Sequence, residues 1–272
     1  MVVLMPALLL AALNGVVLQP VANMHSQPAE DSGVVSQAIF GANVGILEER
    51  DGWLKIRTAD EYTGWAQAEA VRRGPPYALS GRVAHVDSLF AHVYREPSVT
   101  KRRPQLTVPF ETRLETLAEE ESWIQVRLPD GSAGWIQRGD VTFEPPRLEI
   151  DGTIALAKRF LGLPYTWGGA SSFGFDCSGF MQMLARRRGI GMPRDSRPQA
   201  QWSGAAAVEK AALLPGDLLY FGKGPDRINH TGLYIGAGEF IHATSHERPM
   251  VQISRLDDPH WTASYVCARR LK

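Results

Sequence analysis

The chain has 272 residues, 44% hydrophobic and 21% charged, which is the make-up of a folded protein with room for two or three modules rather than of a disordered one. Lys plus Arg and Asp plus Glu both number 29, so no net field draws it to nucleic acid or to an anionic membrane surface. Two cysteines, Cys177 and Cys267, are too few for a disulfide framework.

Met1 to Leu13 is almost wholly apolar, and the first formal charge is Glu30. The segment 1–15 lacks the basic n-region and the small-residue cleavage site of a secretory signal. It is also shorter than the ~20 apolar residues of a membrane span. No transmembrane span is expected, and the compartment stays open between cell envelope, exterior and cytoplasm.

An internal repeat follows. Trp53-Leu-Lys-Ile-Arg57 with Gly64-Trp65 recurs as Trp123-Ile-Gln-Val-Arg127 with Gly134-Trp135, at an offset of seventy and with the same Trp to Trp spacing of twelve. Ala22 to Pro28 and Ala91 to Pro97 make similar approaches to the two copies. Apolar and polar residues alternate over short runs bounded by Gly, Asp and Pro, which predicts two small β-barrels over 16–74 and 75–146. Trp53 and Trp123 are expected to fill the barrel cores. Gly74-Pro75-Pro76 and Glu144-Pro145-Pro146 close the copies as stiff connectors.

Residues 147–272 read differently. Ile154, Leu156, Ala157, Phe160 and Leu161 have helical spacing, ended by Gly162 and Pro164. A second helix is expected from Cys177 to Arg188, with Asp176 as N-cap, Gly189 as terminator and Arg186, Arg187 and Arg188 as a solvated, dipole-complementing end. Strands are expected at 218–221, 231–235, 239–244 and 263–269, with Cys267 buried in the last. Helices followed by an antiparallel sheet make this an α+β domain.

Cys177 is the most informative residue. A thiol at a helix start faces unpaired N–H groups and the positive end of the macrodipole, which lowers its pKa from about 8.5 toward roughly 3.5–7.5 and makes it nucleophilic. If the turn Gly236-Ala237-Gly238 centres on Ala237, His230 lies opposite Thr244 and His242 falls on the same face one pair along. A shift of half a residue would send the imidazoles to opposite faces. In that register His230 serves as general base and His242 holds its ring. The set lacks the carboxylate or second cysteine of a zinc pattern, so neither a metal nor another cofactor is expected. His25, His85, His92, His246 and His260 read as surface or packing residues.

Phe175-Asp-Cys177-Ser-Gly-Phe180, Asn229-His230-Thr-Gly-Leu-Tyr-Ile-Gly236 and Phe240-Ile-His242-Ala243, with Pro164-Tyr-Thr-Trp-Gly-Gly169 and Pro215-Gly-Asp-Leu-Leu-Tyr-Phe221, resemble the motifs of the NlpC/p60-type cysteine peptidases. The repeat resembles the bacterial SH3-type domains that accompany cell-wall enzymes, and the pairing is similar to γ-D-glutamyl-L-diamino acid endopeptidases of the dipeptidyl-peptidase VI type. The resemblance implies a papain-like α+β domain behind two SH3-like barrels. It implies cleavage of peptidoglycan peptides after D-Glu, with a requirement for a free L-Ala amine. It further implies that Tyr165 helps stabilise the oxyanion, that Trp167 walls the groove, and that Asp176, Ser178 and Ser196 contact the peptide. An acidic residue, Glu30 or Asp31, and Tyr62 of the first barrel would meet the amine. The rival readings are a non-catalytic wall-binding scaffold, or an amidase or transpeptidase acting on another amide.

Overall fold

The computed structural model describes residues 13–272; residues 1–12, most of the expected apolar N-terminal segment, lie outside the described residues. The repeat folds as two antiparallel seven-stranded sheets with one strand order. The first runs Val34–Ile39, Val21–His25, Thr63–Gln67, Trp53–Arg57, Asn43–Arg50, Leu13–Val17, Val71–Arg73. The second runs Leu106–Pro109, Phe90–Tyr94, Ala133–Gln137, Trp123–Arg127, Arg113–Glu119, Val83–Val86, Val141–Thr142. These are the two expected SH3-like barrels.

Trp53 is buried and Trp123 half-buried, but neither joins the central cluster of its barrel. Successive strand residues face opposite sides, and it is Leu54 and Ile56, and Ile124 and Val126, that point inward and are fully buried. Trp53 and Trp123 take the other face, edge-on against His25 at 5.2 Å and Tyr94 at 5.6 Å between centroids.

In the C-terminal domain, helices α1 (Ile150–Arg159), α2 (Cys177–Arg187) and α3 (Ser196–Gln201) precede a six-stranded sheet. Its strands are β1 (Ala205–Val208), β2 (Leu218–Gly222), β3 (Ile228–Gly236), β4 (Glu239–Thr244), β5 (Met250–Arg255) and β6 (Tyr265–Leu271), in the order β1-β6-β2-β3-β4-β5. Helix α4 (Pro259–Ser264) precedes β6. It claims Ala263 and Ser264, expected in the strand, because Asp258 accepts the His260 N–H as N-cap and Pro259 takes the first helical position. Cys267 is half-buried in β6. Helix α2 lies against β3 and β4, and its apolar face, Phe180, Met181 and Leu184, enters a core with Phe160, Phe175, Tyr220 and Ile241.

The arginines ending α2 are not simply solvated. Arg186 forms an ion pair with Glu111, while Arg187 pairs with Asp87 and lies over the Phe110 ring, so this end is clamped to the second barrel.

The β3–β4 hairpin keeps the expected register: Leu233 pairs with Ile241 and Tyr234 with Phe240, centring the turn on Ala237, and a bulge at Tyr234 to Gly236 closes it. Gly232 stands opposite His242. A Cβ there would lie 2.7 Å from Phe240 Cδ2 and 3.1 Å from the His242 Cβ, so the missing side chain lets the His242 ring cross toward His230. Gly232→Ala should therefore lower stability by about 1–3 kcal/mol and cut peptidase activity beyond the loss of folded protein, as thermal melting and turnover per folded molecule would show.

Candidate active site

Helix α2 starts at Cys177 because the Asp176 carboxylate accepts the Gly179 N–H at 2.7 Å. The thiol is 7% exposed, and its sulfur lies 3.9 Å from the Asn229 carbonyl oxygen and against the Thr231 N–H, so it sits on the backbone to either side of His230. His230 Nε2 lies 2.7 Å from His242 Nδ1, and His242 Nε2 lies 3.0 Å from Ser254 Oγ. The expected imidazole contact is present. Trp261 stacks on His230 at 5.0 Å and meets His242 edge-on at 4.8 Å, covering one face of half-buried His230 and helping to bury His242 fully.

Electrostatics reverse one expectation. Burial, followed by the Asp176 carboxylate, pushes the Cys177 thiol up to about 12, against the smaller opposing pull of the Thr231 and Ser178 N–H groups and Arg194. Burial likewise takes His230 down to about 3 and His242 well below its ordinary value. Desolvation outweighs the helix dipole, and the resting pair is thiol and neutral imidazole. His246 and His260, read from sequence as surface or packing residues, stack at 3.7 Å beside Trp261, and a charge on either would further lower His230.

Arg194 is the residue that sequence reasoning missed. It is 3% exposed, forks onto Asp176 with Nη1–Oδ1 of 2.9 Å and Nη2–Oδ2 of 2.7 Å, and also donates to Ser178 Oγ, the Gly169 carbonyl and Ser36 Oγ of the first barrel. Its place beside Asp195 and Ser196 in Pro193-Arg-Asp-Ser196 was the available signal.

Among the expected contact residues, Asp176 and Ser178 are buried together under Arg194, and Ser196 is buried at the start of α3. Tyr165 is half-buried, and burial and the nearby Cys177 sulfur both raise its hydroxyl pKa. Trp167 is 73% exposed on the loop before α2. The Tyr62 hydroxyl lies 3.2 Å from Asp195 Oδ2, and burial, then the Asp195 charge, pushes it up to about 12. Glu30 is exposed, accepts from Gln67 at 2.9 Å and lines a cavity with Trp53 and Glu69 that shares no lining residue with the cavity touching Tyr62. Asp31, beside it, is exposed. No group of three or more His, Cys, Asp or Glu among the described residues is arranged to hold a metal ion. No described helix is long and apolar enough to cross a membrane.

Comparison with known proteins finds a match for each of the three domains. Residues 162–270 match the NlpC/P60 family, 24–71 the bacterial dipeptidyl-peptidase Sh3 domain and 86–143 the YKFC SH3b2 domain. A gamma-D-glutamyl-L-lysine dipeptidyl-peptidase of Bacillus cereus is 34% identical over 258 residues, covering 86% of this chain and 74% of that protein. The chain belongs to the NlpC/P60 family. An enzyme of the same description from Bacillus subtilis is 29% identical, covering 78% of this chain and 73% of its own. The crystal structure of an NlpC/P60 family protein from Bacillus cereus superposes with a TM-score of 0.83 at 29% identity, covering 95% of this chain and 99% of that one. This NlpC/P60 protein is accordingly a cysteine peptidase built as two SH3-like barrels and a catalytic α+β domain.

Two outcomes follow for its stability. Arg194→Met strands the Asp176 carboxylate in the interior and should cost about 3–5 kcal/mol, measured by denaturant unfolding. The unfolded chain protonates His230 below its ordinary 6.5, whereas the folded protein does so only near 3, so acid favours the unfolded state. Stability should be full above 6.5 and decline as pH falls toward 3, and His230→Gln should flatten that slope in a melting series.

Proposed function

We propose that the protein hydrolyses the bond between γ-D-glutamate and the following diamino acid in peptidoglycan-derived peptides carrying a free N-terminal L-Ala. The carrying observation is the constellation of buried Cys177 and His242 with half-buried His230, beside a contact, Tyr62 to Asp195, at which the first barrel closes one side of the site. The names of the Bacillus relatives support the choice of bond.

As the substrate carbonyl reaches Cys177, the thiol proton passes to His230 and sulfur attacks the γ-carbonyl carbon. Because both partners rest neutral, charge separates only when the carbonyl oxygen is there to take up the negative charge. The Cys177 N–H and the Tyr165 hydroxyl donate to that oxyanion. His230 then protonates the departing amine, leaving a thioester. Water, deprotonated by His230, attacks the thioester and releases the L-Ala-D-Glu product and the free thiol. No cofactor takes part.

Trp167 walls the groove, and Asp176, Ser178 and Ser196 line the peptide path. A buried ammonium needs a counter-charge. Asp195, oriented by Tyr62, is the carboxylate assigned to the L-Ala amine; Glu30 lines a cavity that does not include Tyr62.

Incubation with L-Ala-γ-D-Glu-L-Lys should release L-Ala-D-Glu and lysine, detected by mass. The N-acetylated peptide should resist cleavage, and Cys177→Ala should reduce turnover by about three orders of magnitude or more. Binding of the free peptide without turnover would instead assign the chain a scaffold role.

A further inference from the structure

His230, His242 and Ser254 occupy three adjacent strands at intervals of twelve residues, forming a diagonal row across β3, β4 and β5. His242 is fully buried, and its two ring nitrogens have one described partner each: His230 on one side and the Ser254 hydroxyl on the other. A neutral imidazole carries one N–H and one bare nitrogen, so the partner of one nitrogen fixes the state of the other. Ser254 is half-buried, so its own proton can turn toward solvent while a lone pair faces the ring.

We propose that Ser254 is a positioning residue that accepts the His242 Nε2–H and thereby sets the tautomers of both imidazoles. With the proton on Nε2, His242 Nδ1 is bare and accepts the N–H of His230 Nε2. His230 Nδ1 is then the bare nitrogen left to take the thiol proton. In the opposite tautomer, His242 Nδ1–H would donate to His230 Nε2, and His230 Nδ1 would carry a hydrogen and could not act as base. Ser254 has no contact with substrate in this scheme. The tautomers are set without the peptide, but their consequence for turnover rests on the peptidase reading above.

The surroundings favour a neutral row. Trp261 covers both rings, Phe221 and Phe240 pack beside them, and the facing titratable groups are Cys177 and the His246–His260 stack, with Glu247 3.9 Å from His246 and Asp258 capping α4. None of these described contacts offers His242 Nε2 a competing acceptor.

The test uses the full chain with Cys267→Ala, leaving one thiol, and compares Ser254→Ala and Ser254→Thr. Imidazole ¹⁵N NMR should report Nε2–H on both rings in the parent and mixed tautomers in Ser254→Ala. Alkylation of Cys177 by iodoacetamide at neutral pH and kcat on L-Ala-γ-D-Glu-L-Lys should each fall about tenfold, with KM unchanged. Ser254→Thr, which keeps the hydroxyl, should restore all three. Unchanged tautomers in Ser254→Ala overturn the proposal, even with a lower kcat, because that pattern marks a purely structural role. If the parent fails to cleave the peptide while the tautomers and alkylation respond as stated, the substrate reading falls and the role of Ser254 stands.

Discussion

The buried ion pair between Arg194 and Asp176 is the constraint on which the site depends. One carboxylate caps α2 at Gly179 and takes both arms of the guanidinium, so it fixes where the helix starts and therefore where Cys177 points. The remaining guanidinium contacts hold Ser178 Oγ, the Gly169 carbonyl of the loop before the helix and Ser36 of the first barrel. A bidentate, charge-assisted pair with its other donors satisfied is the form in which buried charge is tolerated. The Cys177 thiol, the loop and the first barrel are thus referred to a single side chain.

That arrangement explains why a thiol at a helix N-terminus is not a free thiolate here. The Asp176 charge that caps the helix also opposes a negative sulfur, and burial adds to it. The same burial keeps His230 and His242 neutral. Burial thus favours the neutral form of the thiol and of both imidazoles. This suits an enzyme whose thiol is shielded from oxidants and stray electrophiles by the same desolvation.

Much of this was legible in the sequence where chemistry is carried by local pattern. The repeat gave two barrels because period-two alternation survives divergence, and the Gly-Ala-Gly turn gave the register that joins the two histidines. The misses are non-local. Whether Trp53 faces in or out depends on the strand phase, and Leu54 and Ile56 decide it. Arg186 and Arg187 read as helix-end charges because Glu111 and Asp87, their partners, lie on the second barrel. Arg194 is an arginine in a polar run until the fold buries it on Asp176. Ser254 sits on a strand, Met250–Arg255, too mixed in composition to be expected, and its meaning comes only from its diagonal relation to His242.

The two barrels act on opposite ends of α2. Near its start the first barrel supplies Ser36 to Arg194 and Gln37 to the Ala170 N–H, and at its middle Asp60 accepts from Gln182. At its end the second barrel supplies Glu111 and Asp87 to the arginines and inserts Phe110, which is 3% exposed and packs edge-on against Phe160 inside the catalytic core. Covalently linked domains move relative to one another unless their interface is apolar or extensively bonded. Here the second barrel cannot swing away without exposing Phe110, and the first cannot without leaving Arg194 short of a partner. Helix α2 is therefore held at both ends, and the barrels fix the position of the helix that carries the Cys177 sulfur.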